Sequence, residues 1–317
     1  MSKSFKNILK IGIPLLLGFF LVWYSLSKVS FSELVVYFKN ANYFYVFLGV
    51  FFGLLSHISR AYRWVFMMEP LGYNIKFSNS FMAVFSAYLI NYTIPRAGEV
   101  ARATIITNYE KVPFEKGFGT IVAERIADLI IMLLIVSITL FLQFEFIYSF
   151  LESRFNVLSI IIGLIGLFVV GVIALLIIKK STRGIALKIK NFIVGLIDGA
   201  LSIFKMKKKW AFIFHTFFIW IMYVLMFYVT TFAVPELNNV TLDAVLIGFI
   251  LASFSIAATN GGIGSFPVAV VTGFTLFNLP YNPSLAFGWI MWTAQTAMII
   301  ICGGLSLICL PLLNKKK

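Results

Sequence analysis

Long apolar runs, separated by short polar segments, fill this chain from end to end. They cover residues 8–26, 43–66, 120–144, 157–178, 210–234 and 284–312. An α-helix needs about 20 mostly apolar residues to cross a hydrocarbon core about 30 Å thick. Strands of a membrane β-barrel would instead show short alternating segments, which these unbroken runs exclude. The pattern therefore predicts an all-α, polytopic integral membrane helical bundle with about six full spans.

Two further apolar regions are interrupted near their middle. Region 79–118 breaks at 91–95, where Pro95 removes a backbone donor and forces Ile94 out of helical geometry. Region 242–280 breaks at a Gly-rich segment, 259–267. We expect two broken, re-entrant hairpins, which brings the count to about eight transmembrane segments by hydropathy. The alternative for the second region is two ordinary spans joined by a turn.

Composition supports membrane insertion and changes how the net positive charge is interpreted. Of the 317 residues, 61% are hydrophobic and 12% are charged, whereas a soluble domain is roughly a quarter charged. The formal net charge is +14, and in so apolar a chain it serves topology and attraction to anionic lipid headgroups. Segment 179–209 has nine cations interleaved with apolar residues, which is typical of a basic amphipathic helix on a membrane surface. We expect no nucleic-acid partner.

The distribution of cations predicts the topology. If each broken hairpin enters and leaves on one side, 22 cations fall on the side that carries both termini and 3 fall on the other. The positive-inside rule then makes both termini cytoplasmic, and we expect a multi-pass protein of the plasma (inner) membrane. The two hairpins open to opposite sides, as in inverted repeats with discontinuous helices. We therefore predict a single domain, 1–317, with inverted halves 1–178 and 210–317 joined by segment 179–209.

Charged residues cluster after the first break. Arg96, Glu99 and Arg102 recur every three residues and share one face if the chain is helical there. Glu124 and Asp128 flank Arg125 at or just inside the start of the next span. Ionisable groups in such positions are costly unless paired, and they mark functional sites. For the first group the alternative is a paired strip of side chains at the cytoplasmic surface. For the second group the alternative is a structural ion-pair network, which can coexist with a functional site.

The second span and the second break offer weaker signals. His57, Arg60 and Arg63 recur every three residues beside Trp64, so the arginines are predicted to grip lipid phosphate and the tryptophan to anchor the interface. Topology-setting charges beside an aromatic belt are equally consistent. The second break has no charge, but its glycines expose backbone N–H groups, and a helix that starts near Ser265 directs its positive end towards an anion. A plain turn remains the alternative.

The predicted substrate-binding residues are Arg60, Asn91, Arg96, Glu99, Arg102, Glu124, Arg125, Asp128, Asn260, Gly261, Gly262, Gly264 and Ser265. We expect no catalytic residue, metal or cofactor, because no nucleophile, metal-ligand spacing or nucleotide-binding motif is visible.

These motifs resemble the flippase-like transmembrane domain of bacterial lysylphosphatidylglycerol synthases, which also occurs as free-standing membrane proteins. The matching elements are His57 to Trp64, Asn91 to Glu99 with Arg102, Glu124 to Asp128, and Gly261 to Gly264. The resemblance implies a multi-span lipid-handling protein. The chain ends at Lys317, so the soluble aminoacyl-transferring domain of the full-length synthases is not expected.

The leading hypothesis is a lipid flippase or lipid-binding membrane protein for a phospholipid-like or polyprenyl-linked substrate. Arg96, Arg102 and Arg60 would hold the phosphate, while Glu124 and Asp128 would hold a cationic headgroup or orient the arginines. One alternative is a non-catalytic scaffold for a lipid-modifying enzyme, recruited through segment 179–209, and a homo-oligomer is a further possible partner. The other is a membrane-embedded transferase with a carboxylate as general base.

The topology is tested by single cysteines in a background without Cys302 and Cys309. A cysteine at Ser30 or Ser153 should react with an impermeant reagent added from outside the cell, because the charge split places these residues there. A cysteine at Ser181 should stay unlabelled. Labelling of position 181 from outside would contradict the whole arrangement.

Overall fold

The computed structural model describes residues 29–94, 96–154 and 206–314, with isolated positions within 16–27 and 162–187. Every regular element in these residues is helical, so the prediction of an all-α protein is confirmed. Most of the predicted spans 8–26 and 157–178, and nearly all of the basic segment 179–209, lie outside the described residues.

The helices within this part of the chain are α1 (Phe31–Asn40), α2 (Tyr43–Met68), α3 (Phe77–Thr93), α4 (Ala97–Glu110), α5 (Phe114–Leu142), α6 (Phe144–Arg154), α7 (Lys209–Thr231), α8 (Leu242–Ala258), α9 (Ser265–Thr275) and α10 (Tyr281–Leu313). Two short 3₁₀ helices, Glu69–Leu71 and Pro235–Leu237, follow α2 and α7.

Four helices are long and apolar enough to cross a membrane: Tyr43–Leu71, Phe114–Leu142, Lys209–Thr231 and Tyr281–Leu313. They correspond to four of the six predicted spans. One boundary differs from its prediction, because α5 begins at Phe114 rather than near 120. Glu124 is thus the eleventh residue of its helix, about three turns in, and not at the helix start.

Both predicted breaks are present. Ile94 is extended, with φ −127° and ψ 114°, as expected of a residue before proline. Arg96 then adopts the left-handed conformation, with φ 58°, and α4 starts. In the second region Gly261, Gly262 and Gly264 all have positive φ before α9 starts. A left-handed backbone is unfavourable for residues other than glycine, which explains the Gly-rich sequence.

The arms of each broken region pack side by side, α3 against α4 and α8 against α9. The arms after the breaks have 14 and 11 residues, fewer than the roughly 17–25 that a span requires. These lengths favour re-entrant hairpins over pairs of full spans.

Helix α10 is the central element of the first of two compact units. This unit comprises residues 1–121 and 210–317, and the second comprises 122–209. Within the first unit α10 packs on α1, α2, α3 and α9. Close approach is possible because glycines lie at the contacts: a Cβ on Gly288 would lie 2.7 Å from Cα of Pro267 in α9. The rings of Phe227, Phe274 and Phe287 fill the adjoining core, with centroids 5.1 to 6.0 Å apart.

Two adjacent glycines in α10 test this packing. A Cβ on Gly303 would lie 2.7 Å from Leu89 Cβ and 2.8 Å from Phe85 O, both in α3, whereas one on Gly304 meets nothing within 4 Å. Gly303→Ala should therefore destabilise the fold by about 1–3 kcal/mol through overpacking. Gly304→Ala should leave stability unchanged or raise it slightly. Both substitutions bring the same gain in helix propensity, so the difference in stability between the two variants reports the close contact at Gly303. Equal melting temperatures of the two purified variants in detergent would contradict the close α3–α10 contact.

Candidate functional site

The first break is closed by a side chain from the helix before it. The backbone N–H of Gly98 donates a 2.7 Å hydrogen bond to Oδ1 of Asn91. A Cβ on Gly98 would overlap the carbonyl oxygen of Ala87, so α4 starts directly against α3. Arg96, between them, is exposed and left-handed. Such strained residues occur preferentially at functional sites.

The charged residues after this break differ in burial. Arg96 is exposed, Glu99 is half-buried and Arg102 is 4% exposed. The guanidinium of Arg102 lies 3.9 Å from the ring centroid of Trp64. The alternative prediction of a paired strip at the cytoplasmic surface is therefore wrong for Arg102, because this side chain is buried. Oε2 of Glu99 is buried and has no hydrogen-bond partner among the described residues.

The second break is also largely internal. Asn260 is 3% exposed, and its Nδ2 is a buried donor without a partner in the described part of the chain. The hydroxyls of Thr259 and Ser265 lie 2.8 Å apart across the break. Gly264 precedes α9 and has no side chain to cap its first N–H groups. The helix start therefore carries a partial positive charge that its own N-cap does not offset.

The two breaks meet in the first unit. A Cβ on Gly261 would lie 2.5 Å from Cε1 of Tyr92, so the backbone of the second break packs on a ring from the first. Trp292 of α10 donates from Nε1 to the carbonyl oxygen of Gly261 at 2.8 Å. The hydroxyls of Tyr92 and Thr296, also in α10, lie 3.2 Å apart. We call this contact of Tyr92, Gly261, Trp292 and Thr296 the break junction.

Three residues of the break junction were missed by the sequence analysis: Tyr92, Trp292 and Thr296. Tyr92 lies inside the predicted break, but nothing there indicated a partner for its ring. Trp292 and Thr296 are four residues apart, which places them on one face of a helix. That spacing was the available signal, and it is weak within an apolar span.

Helix α2 contributes buried arginines rather than an interfacial belt. Arg60 is 3% exposed, and Arg63 and Trp64 are fully buried. Arg63 donates to Thr216 Oγ1 at 2.9 Å, and Trp64 Nε1 donates to Thr120 Oγ1 at 2.9 Å. The prediction that Trp64 anchors the membrane interface is wrong, because its ring is covered by Arg102 and its N–H is satisfied inside the protein.

The second unit contains the remaining predicted residues. Arg125 lies 2.8 Å from a carboxylate oxygen of Glu124 and 3.6 Å from one of Asp128. The carboxylates are almost completely buried, whereas the Arg125 side chain is 43% exposed. The expected pairing of Asp128 with Arg125 is confirmed. Coupling of these carboxylates to Arg96 and Arg102 stays a prediction.

A cavity of about 300 Å³ lies elsewhere, between α1 and the 3₁₀ helix Pro235–Leu237. Its polar lining comprises Glu33, Tyr37, Asn40 and Glu236. Burial, followed by the charges of Glu236 and Glu33, raises the pKa of the Tyr37 hydroxyl. None of the predicted site residues lines this cavity.

The fold and the break junction define a class: a multi-pass α-helical membrane protein built around two broken hairpins. The chain belongs to the family of the lysylphosphatidylglycerol synthase TM region, whose family model matches residues 11–304. It is also 25% identical, over 314 residues, to a UPF0104 membrane protein of Methanocaldococcus jannaschii, with 88% of each chain covered. No solved structure gives a significant match.

Two neighbouring tryptophans test the break junction. Trp292→Phe removes the donor to Gly261 O and leaves that carbonyl unpaired, so we expect a loss of about 0.5–1.5 kcal/mol in stability. Trp289→Phe is the matched control, since Trp289 lies in the same helix and its buried Nε1 has no partner among the described residues. Hydrogen exchange around residues 259–265 should accelerate in the first variant alone. Equal exchange in both variants would contradict a role for Trp292 in holding the break.

Proposed function

We propose that the protein binds the phosphate-bearing headgroup of a membrane lipid at the break junction and translocates that lipid between leaflets. The observation that carries this proposal is the contact between the two breaks, Tyr92 on Gly261. Backbone breaks at membrane depth are tolerated only where they are buried in protein or line water. Discontinuous helices that meet in the interior are how many transporters build a substrate site.

The helix starts favour an anionic ligand. Each break opens a new helix, α4 at Ala97 and α9 at Ser265. The N-cap residue of neither helix makes a side-chain cap; Asn91 occupies one N–H of the first turn of α4, and both starts carry the positive end of a helix dipole. The buried amide of Asn260 adds a donor beside the second start. Phosphate, with its several acceptor oxygens, matches such a set of donors.

Buried cations in the same unit reinforce this preference. Arg60 and Arg102 are 3% and 4% exposed, and charged side chains inside a membrane protein often mark substrate pathways. Arg102 is held by stacking on Trp64, and a planar guanidinium fixed in this way suits bidentate binding of phosphate. Arg60, Arg96 and Arg102 are therefore assigned to the phosphate of a phospholipid-like or polyprenyl-linked substrate.

The proposed membrane topology follows from the distribution of cations along the chain. Both termini and the basic segment 179–209 are assigned to the cytoplasmic face of the plasma membrane, where anionic lipids attract Lys and Arg. Glu124 and Asp128 keep their predicted role towards a cationic headgroup. A lipid-modifying enzyme and a second copy of the chain stay predictions as partners.

Binding of phosphatidylglycerol to the purified protein tests the proposal, with uncharged diacylglycerol as the headgroup control. Arg102→Gln should weaken phosphatidylglycerol binding about tenfold or more, because hydrogen bonds to charged groups contribute about 1.5–3 kcal/mol. Lys116→Gln, which removes an exposed cation from α5, should bind normally. Arg102→Lys should bind with intermediate affinity.

Transfer of fluorescent phosphatidylglycerol between leaflets of proteoliposomes then tests translocation. A folded Arg102→Gln variant with unchanged affinity would contradict the proposed site. Equal binding of diacylglycerol and phosphatidylglycerol would contradict phosphate recognition.

A further inference from the structure

Buried polar atoms that lack a hydrogen-bond partner lie on the facing helices α2 and α7. His57 of α2 is 2% exposed, and neither of its ring nitrogens, Nδ1 and Nε2, has a partner among the described residues. Nε1 of Trp220 in α7 is buried too, and no described residue pairs with it. Buried polar atoms are almost always paired, with the protein or with ordered water. These three atoms therefore point to a hydrogen-bonding ligand.

One aromatic ring joins the two residues. Tyr223 of α7 makes a T-shaped contact with both, and its ring centroid lies 5.9 Å from that of His57 and 6.0 Å from that of Trp220. Tyr88 of α3 lies 4.7 Å from His57, and Phe249 of α8 lies 6.3 Å from Trp220. We call these five residues the aromatic enclosure. It belongs to the first unit and shares no residue with the break junction.

The hydrogen-bonding capacity of the unpaired atoms selects the class of ligand. A neutral imidazole has one N–H donor and one acceptor nitrogen, and an indole has a donor only. No carboxylate is among the described contacts of His57, and burial without such a partner favours the neutral ring. An ionised phosphate only accepts and an ammonium group only donates, so neither can satisfy both kinds of atom. A hydroxyl group donates and accepts.

We infer that the aromatic enclosure binds hydroxyl groups of the lipid headgroup, so that the protein selects lipids whose phosphate carries a polyol or a sugar. This inference rests on the proposed function, in which Arg60 contacts the phosphate. His57 and Arg60 are three residues apart in α2, which places them on one face and about 4.5 Å apart along the helix axis. The hydroxyls of a glycerol or sugar headgroup lie at a comparable distance from its phosphorus atom.

The aromatic side chains fit the rest of such a headgroup. Small-molecule sites are lined mostly by apolar and aromatic side chains, with a few polar groups that fix the orientation of the ligand. The C–H bonds of a polyol pack on the rings while its hydroxyls bond to the nitrogen atoms. Water is the other source of a hydroxyl that fits these atoms. Water in the enclosure gives no preference between headgroups, whereas a bound headgroup hydroxyl raises the affinity of the lipid that carries it.

Two lipids of equal charge separate hydroxyl recognition from phosphate recognition. Phosphatidylglycerol and phosphatidylmethanol each carry one phosphodiester charge, but only phosphatidylglycerol has headgroup hydroxyls. The purified wild type should bind phosphatidylglycerol about five- to tenfold more tightly, as expected of one or two net hydrogen bonds. Equal affinities would overturn the inference and leave the proposed function intact. Binding of neither lipid would overturn both.

Substitutions within the enclosure test which residues give this preference. His57→Phe and Trp220→Phe keep an aromatic ring and remove the unpaired nitrogen atoms. Each should bring the ratio of the two affinities close to one, with the affinity for phosphatidylmethanol unchanged. His57→Gln should keep part of the preference, because an amide both donates and accepts.

Trp289→Phe is the matched control. It also removes a buried Nε1 that has no partner in the described part of the chain, but it lies in α10 and not in the aromatic enclosure. The ratio should therefore stay at its wild-type value. A wild-type ratio in folded His57→Phe and Trp220→Phe would overturn the assignment of hydroxyl binding to this enclosure. If neither variant folds, the comparison of the two lipids on the wild type decides alone.

Discussion

The structure depends on one constraint: backbone groups released by a broken helix must be satisfied inside the protein, because the bilayer core offers no water to pair with them. Pro95 and the Gly-rich segment each open a helix, and each opening is closed from nearby. Asn91 accepts from Gly98 N, and Trp292 donates to Gly261 O. The breaks are therefore tolerated because they lie against α10 and against each other. The same requirement concentrates polar groups in an otherwise apolar interior.

Cations in that interior show how the protein holds charge away from water. Arg102 stacks on Trp64, and Trp64 bonds to Thr120, so one guanidinium is oriented by an aromatic side chain that is itself fixed. Arg63 bonds to Thr216 and lies over Phe212. Such contacts partly compensate each guanidinium for the loss of water, and they fix the plane of the guanidinium before any ligand binds. An oriented cation binds phosphate with less loss of side-chain entropy than a flexible one, which links the packing of α2 and α4 to the proposed function.

Membership of the lysylphosphatidylglycerol synthase TM family defines a membrane domain, and the function must still come from the site. The break junction brings Tyr92 of the first break against Gly261 of the second, and the helix that follows the second break starts without a side-chain cap.

The sequence by itself determined the class of fold, four of the described spans and the position of both breaks, because these depend on local properties: the length of apolar runs, the missing N–H of Pro95 and the tolerance of glycine for positive φ. It also placed Asp128 beside Arg125, since helical spacing is local too. Only the tertiary structure decided that Trp64 is buried, that Arg102 and Arg96 differ in exposure, and that Tyr92 and Trp292 hold the second break. These facts depend on which helix faces which, and residues 91, 261 and 292 are far apart in the chain. An apolar span shows no preferred face in its hydropathy when lipid and protein interior are equally apolar. Packing between small residues such as Gly288 and Gly303 then selects the contacts, and with them the site.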